Sequence, residues 1–404
     1  MDDRIELWST PELHSRALTS DDFATVVYDS LMRPIDYPPV ASGVVPGDIV
    51  AIVIDSELPC PDGALKGVLR ALSGLELSRI DVVISESANE DTRAAIRRSL
   101  PSDVELTIHS GKSRDDLRYL AANEAADPIY LNRRIVDADL VIPVFAARQT
   151  DPLTTSSGFC PVFPSLADYR SQGRARINAT EITTSTNGRR GAGDDEASRV
   201  GWLLGLQWMV SVDVTADGKP GAVCVGTSDT LAARSLKSQS EIELPAAADV
   251  VIATVEGGPQ QHSLVNLLRA ALVARGHASI DASIVLITDL DELGSLDEFA
   301  GESYDEDDSD DSEFIEDGER EPNQAPVKEE VILSPIDYAR QMLSILINDM
   351  DSSRRYLLLA NCSEEDAEAF GFGSLKDANT LSRLIDGHES CIVIRHSQLV
   401  SPRV

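Results

Sequence analysis

Residues whose types and spacing could do chemistry gather at one turn and two strand ends. ADVVIATVEGG (248–258) runs into the helical pattern QHSLVNLLRAALVAR (261–275), with Gly257, Gly258 and Pro259 at the join. A strand-to-helix turn of this kind exposes backbone N–H groups at a helix N-terminus, where an anion is stabilised. Asn266 and Arg269 would add side-chain donors, and His262 shares a helix face with Arg269, seven residues on. Asp55 closes the strand GDIVAIVID (47–55), at the kind of carboxyl end where open α/β sheets place ligands. His109 closes VELTIH (104–109). Imidazole is the side chain suited to proton abstraction near neutral pH, so His109 and His262 are the candidate catalytic bases.

Each of these residues also has a plainer reading. The Gly257 turn could be an ordinary strand-to-helix connection, His262 a capping residue, Arg269 an exposed helix charge and His109 a hydrogen-bonded structural histidine. Cys160 invites a nucleophile or sulfur-ligand reading, but its neighbours Phe159, Pro161 and Phe163 are apolar and would raise a thiol pKa. The six histidines form no His-Glu-x-x-His or His-x-x-Glu-His pattern, and neither a Walker nor a dinucleotide glycine fingerprint occurs. No metal site is expected.

Composition sets the class. With 404 residues, 42% of them apolar, the chain can form two packed domains. No apolar run reaches the roughly 18 residues a bilayer span needs, and MDDRIELWSTPELHSR has no secretory apolar core. Five scattered cysteines suit reduced thiols in a cytoplasm. The formal charge is −33; residues 297–321 hold fourteen Asp and Glu against one Arg, about −13, and the remainder keeps about −20. A nucleic-acid partner needs a basic face, so none is expected. Segment 297–321 could take a protein partner, but reads more simply as a solvated, disordered insertion. A calcium loop is excluded there, since no register offers both the required Gly and the required Glu.

Continuous apolar runs alternate with helical patterns. Strands are expected at 47–55, 80–85, 104–109 and 138–144, and helices at 64–75 and 89–100, the latter capped by Asn89. A hairpin is expected over 208–215 and 221–227, strands at 248–258, 282–288, 356–360 and 390–396, and a helix at 335–349. Apolar runs between helices predict parallel sheets covered on both faces. The expected fold class is therefore α/β, two domains with mainly parallel sheets flanked by helices and an interdomain cleft. The expected division is 1–167, a polar linker or crossover at 168–200, and 201–404 with an acidic insertion at 297–326.

Several segments, in order, resemble the nickel-dependent lactate racemase family: MRPIDYPPV, VVPGDIVAIVIDSELPCP, IYLNRRIVDADLVIPV, VSVDVTADGKPGAVCVGT, ADVVIATVEGGPQQHSLVNLLRAALVA and RYLLLANCSEEDAEAFGFGSLKDA. The resemblance implies inversion of a 2-hydroxy acid and a nickel-pincer nucleotide cofactor carried by a Lys. It also implies a His base, a second His on the metal, and an Arg and a Lys holding carboxylate or phosphate. By that comparison Asp55, Gly257, Gly258 and Pro259 match, Asn266 stands for a Gln and Arg269 for the Lys. Glu57-Leu58 replaces the Thr-Arg pair of the first turn. SESANED (85–91) lacks the family's His and Arg, and Arg148-Gln149-Thr150 replaces its Pro-His. Cys160 or Phe159 falls at the cofactor-carrying Lys, and SQGRARINAT (171–180) has no His. The expected protein is a divergent member that lacks the nickel chemistry and binds a small anion through Asp55, Gly257, Gly258, Asn266 and Arg269. The alternative is an active 2-hydroxy acid racemase or epimerase with altered residues, retaining the cofactor.

Overall fold

The computed structural model describes residues 5–9, 19–147, 161–175, 192–215, 218–231, 234, 247–257, 261–293, 335–347 and 354–400. Gly258, Pro259, the 148–160 segment with Thr150, Phe159 and Cys160, and the acidic block 297–321 lie outside the described residues.

The first sheet is built from β2 (Ile49–Ile54), β3 (Arg79–Ser85), β4 (Glu105–His109), β7 (Leu140–Ala146), β8 (Met209–Val214) and β9 (Pro220–Gly226), in the order β4-β3-β2-β7-β8-β9. Its pairs are parallel except β8 with β9. The period of two along β2 explains why an uninterrupted apolar strand is needed here. Val50, Ile52 and Ile54 face a core made with Phe23, Val27, Leu65 and Val68. Ala51 and Val53 face a second core with Leu131, Val141, Phe163 and Met209.

Helix ends are set by local chemistry. Helix Ser20–Met32 begins on a capping box between Thr19 and Asp22. Helix Pro61–Leu72 starts with Pro at its first position, where no N–H is required. Helix Glu90–Ser99 starts where Asn89 accepts the Thr92 N–H at 2.8 Å, as expected.

The second sheet runs β1-β14-β10-β11-β12-β13 and is parallel throughout. Its members are β1 (Ile5–Ser9), β10 (Ala248–Thr254), β11 (Ala278–Ile287), β12 (Arg355–Leu359), β13 (Gly373–Ser374) and β14 (Cys391–Arg395). One face packs on helices Leu264–Gly276 and Pro335–Ile347. The other packs on Leu381, Leu384 and Ile385 of helix Ala378–Asp386. A small antiparallel pair, β5 (Leu117–Ala122) with β6 (Pro128–Asn132), stands beside the first sheet.

Three placements differ from the sequence reading. The β8–β9 hairpin, expected within 201–404, joins the first sheet. Val210, Val212 and Val225 complete the core under helix Ser20–Met32, and Trp208 donates its indole N–H to the Pro38 carbonyl at 2.9 Å. The segment 168–200, read as a polar link, is helical over 169–175, and helix Ala192–Leu203 begins within it, burying Ala197 and Val200. At the other end of the chain, β1 joins the second sheet beside β14.

Candidate functional site

Both sheets reverse their winding at one strand. β2 has β3 on one side and β7 on the other, and β10 has β11 on one side and β14 on the other. The carboxyl ends of such strands open a crevice in which α/β proteins place ligands.

At the end of β2, Asp55 is committed to the backbone. Its N–H donates to the Val144 carbonyl at 2.9 Å. Its carboxylate accepts the Ala146 N–H at 3.0 Å and the Glu57 N–H at 3.1 Å. This stitches β2 to β7 and forms a tight turn. Leu58 then drops into the core, and the Glu57 side chain is left 38% exposed.

After β10, Gly257 takes φ +127°, a left-handed conformation that favours glycine, and a Cβ there would lie 2.8 Å from Gln261 Cγ. Ser263 caps the following helix by accepting the Asn266 N–H at 3.3 Å. That helix is buried nearly all round, so its two buried polar side chains, Asn266 and Arg269, have to be satisfied internally. Asn266 Nδ2 donates to the Gln261 carbonyl at 2.7 Å, and Asn266 Oδ1 accepts from Arg269 Nη1 at 2.6 Å. The same Nη1 lies 3.1 Å from Glu57 Oε2 and 3.5 Å from Oε1. Arg269 is thus a buried guanidinium, 5% exposed, rather than an exposed helix charge, and it meets a carboxylate from the other sheet's turn.

Just after β10, Glu256 receives Arg395 in two-pronged fashion, Nε at 3.0 Å and Nη2 at 2.6 Å, with His396 Nε2 at 3.3 Å. Burial works to raise the Glu256 carboxyl. Hydrogen bonds from Arg395 and Thr254, with the charges of His396 and Arg395, outweigh it and hold the group at about 2.

The two candidate bases occupy other surroundings. His109 Nε2 lies 2.9 Å from the Ala167 carbonyl, and Nδ1 lies 3.2 Å from Asn132 Nδ2. A neutral ring with its proton on Nε2 satisfies both contacts, and burial pulls its pKa down. His262 Nδ1 accepts the Asp289 N–H at 3.0 Å and lies 3.0 Å from Thr288 Oγ1, while Nε2 lies 3.6 Å from the Asp289 carboxylate. Both histidines tie strand ends to neighbouring segments. The structure therefore brings Asn266 and Arg269 together with the Asp55 turn, by way of Glu57. Gly257 sits in the turn after β10 that leads into the helix carrying Asn266 and Arg269.

Asp213 is a residue the sequence reading passed over. It lies at the carboxyl end of β8, and burial pushes its carboxyl up against the opposing charge of Arg234. Cys224 on β9 is raised by burial too. The only sequence signal was an Asp inside the apolar strand MVSVDV.

The nickel-pincer nucleotide that the resemblance implies would need an open imidazole for the metal and cationic groups open to carboxylate or phosphate. Both nitrogens of His109 are engaged, His262 Nδ1 already accepts a backbone N–H, and Arg269 already holds Glu57. Among the described residues no group of three or more His, Cys, Asp or Glu is placed to hold a metal ion. Of the residues the sequence puts forward, both imidazoles and Arg269 are already engaged within the chain.

Comparison with known proteins agrees with the architecture. Residues 9–172 match the lactate racemase N-terminal domain family model. The lactate racemase apoprotein of Thermoanaerobacterium thermosaccharolyticum superposes with a TM-score of 0.67 at 14% identity, over 95% of this chain and 93% of that one. A Thermotoga maritima protein solved by a structural genomics consortium gives a TM-score of 0.59 at 9% identity, over 96% and 98%. No curated protein sequence matches the chain.

Proposed function

We propose, from the premise that residues 9–172 form a lactate racemase N-terminal domain and that the whole chain has the lactate racemase fold, that this protein is a divergent relative which binds a small anion between its two sheets without nickel chemistry. The observation that carries this reading is the Glu57–Arg269 pair at 3.1 Å. A guanidinium stays charged when buried and requires a counter-charge. At this position a counter-charge is supplied by the chain itself, and the Asn266 side-chain oxygen accepts from the same guanidinium and helps to orient it. The guanidinium suits recognition of an anion, and both candidate imidazoles are engaged by other groups. The cytoplasm is the proposed setting. Cys60, Cys224, Cys362 and Cys391 form no disulfide, and no helix among the described residues is long and apolar enough to cross a membrane.

The test is to purify the protein from cells that make the nickel-pincer nucleotide, then measure bound nickel, cofactor absorbance and lactate inversion. The expected result is nickel far below one per chain and no inversion. Stoichiometric nickel, or turnover, would overturn the reading.

One observation favours a second reading, an active 2-hydroxy acid racemase or epimerase. Asp213 is a carboxyl raised by burial at the same end of the first sheet, the direction a general acid–base group needs. On this reading the protein turns over a 2-hydroxy acid and Asp213→Asn abolishes turnover without lowering the melting temperature.

A further inference from the structure

We propose that Glu196 works as a pH-operated latch for helix Ala192–Leu203, which lies docked while this carboxyl is protonated and loosens when it ionises. The inference is independent of the anion-binding reading above. The helix has little apolar hold. Among its described residues only Ala197 and Val200 enter the core, both are small, and Trp202 in the last turn is 80% exposed. Its polar side meets the tip of the β5–β6 hairpin and the helical segment 169–175. Arg199 Nη2 donates to Glu124 Oε1 at 2.9 Å, but that pair is exposed and holds weakly. Glu196 is 9% exposed, and its Oε1 has no hydrogen-bond partner among the described residues. The cation facing it stands off. Arg174 Nη2 lies 3.9 Å from that oxygen, beyond hydrogen-bond reach, and already donates to Ser171 Oγ at 2.9 Å and to the Pro128 carbonyl at 3.3 Å. Arg174 Nε makes no hydrogen bond among the described residues and lies 3.9 Å from Asp127 Oδ2, so one guanidinium is shared between two carboxylates. The groups facing Glu196 are thus Arg174 from segment 169–175, Asn123, Glu124 and Asp127 from the hairpin tip, and Arg199 from its own helix. Burial, reinforced by Asp127, pushes the carboxyl above the ordinary glutamate range, against Arg174, Asn123 and Arg199. An ionised carboxylate here is poorly compensated, and undocking returns it to water. The docked state therefore binds this proton more tightly than the undocked one. The stability it adds is complete below the ordinary glutamate value of about 4.5 and is lost as pH rises through the raised value.

The experiment is amide hydrogen exchange on the full chain between about pH 5 and about pH 8, with rates corrected for the intrinsic effect of pH. Protection is read for the helix at 196–203 and, as a control, for β2 and β3. The expected result in the wild type is a loss of protection at 196–203 as pH rises, with β2 and β3 unchanged. Glu196→Gln keeps a neutral side chain of the same shape, so its helix should stay protected across the range. Arg174→Gln removes the cation that favours ionisation, so its helix should lose protection more steeply than the wild type. Equal protection of the wild-type helix at both ends of the range would overturn the latch. So would a loss that Glu196→Gln retains, a loss shared by β2 and β3, or a shallower loss in Arg174→Gln.

Discussion

His109 shows how a residue chosen for chemistry can be held by architecture. Its ring joins the end of β4 to Asn132 at the end of β6 and to the Ala167 carbonyl. Removing it leaves a cavity and two unsatisfied buried groups, so His109→Ala should lower stability by about 2–5 kcal/mol in a urea melt. Burial depresses its pKa below the ordinary imidazole value of about 6.5. The unfolded chain then binds more protons, so this contribution is present above about pH 6.5 and is lost as pH falls through the lower folded value. Urea melts at about pH 7.5 and pH 5.5 should show a slope that His109→Gln reduces; an unchanged slope would assign it to other groups. Glu256 acts further down the scale. Held at about 2 against an ordinary glutamate value of about 4.5, it stabilises the fold above about pH 4.5 and loses that effect as pH falls toward 2. Arg395→Met should flatten the acid limb between about pH 5 and pH 3. At this scale the sequence exposes types, not meetings. It shows Glu57 and Arg269 as two altered positions, but they are 212 residues apart, and only the packed sheets make them partners.

Elements were more legible than residues because periodicity is local. The apolar runs at 47–55, 80–85, 104–109 and 138–144 became β2, β3, β4 and β7 to within two residues at each end. Asn89 marked its helix start because an N-cap acts within three residues. The sheet that a hairpin joins is set by which core its alternate residues complete, and that is long-range. The β8–β9 hairpin has the same local pattern in either domain, and Val210 and Val212 decide only by packing near Phe23 and Trp208. The polar stretch 168–200 was equally unreadable, since Ala197 and Val200 are few among charged neighbours. Helix–helix spacing is another quantity that appears only in three dimensions. Helices Ser20–Met32 and Pro61–Leu72 approach so closely that a Cβ on Gly67 would lie 2.6 Å from both the Ala24 carbonyl oxygen and Val27 Cβ. Alanine in a helix interior ordinarily gains up to about 1 kcal/mol over glycine. Here the obstacle is backbone and a β-branched side chain, and overpacking of about 1–3 kcal/mol should dominate. Gly67→Ala is therefore expected to lower the urea midpoint; a raised midpoint would mean the two helices separate at little cost.

Across the whole molecule the governing quantity is charge. A formal −33 means that long-range repulsion opposes the compact state, while exposed ion pairs are individually weak. Lys66–Asp21 and Arg97–Glu90 are largely exposed, and such pairs contribute roughly 0–1 kcal/mol each. Salt weakens both effects, but repulsion among many like charges acts over distances that screening cuts first, as the Debye length drops from about 10 Å at 0.1 M to about 3 Å at 1 M. The Glu57–Arg269 contact, with its guanidinium buried, is screened less. The net effect should be stabilising, so the melting temperature should rise from about 0.1 M to about 1 M sodium chloride. Residues 297–321 carry about −13 of the total, so a chain lacking them should melt higher at low salt and respond less to added salt. If the deletion instead leaves the salt response intact, the repulsion resides in the remaining −20 of the chain. A melting temperature that falls with salt in the intact protein would show that its ion pairs outweigh its net charge.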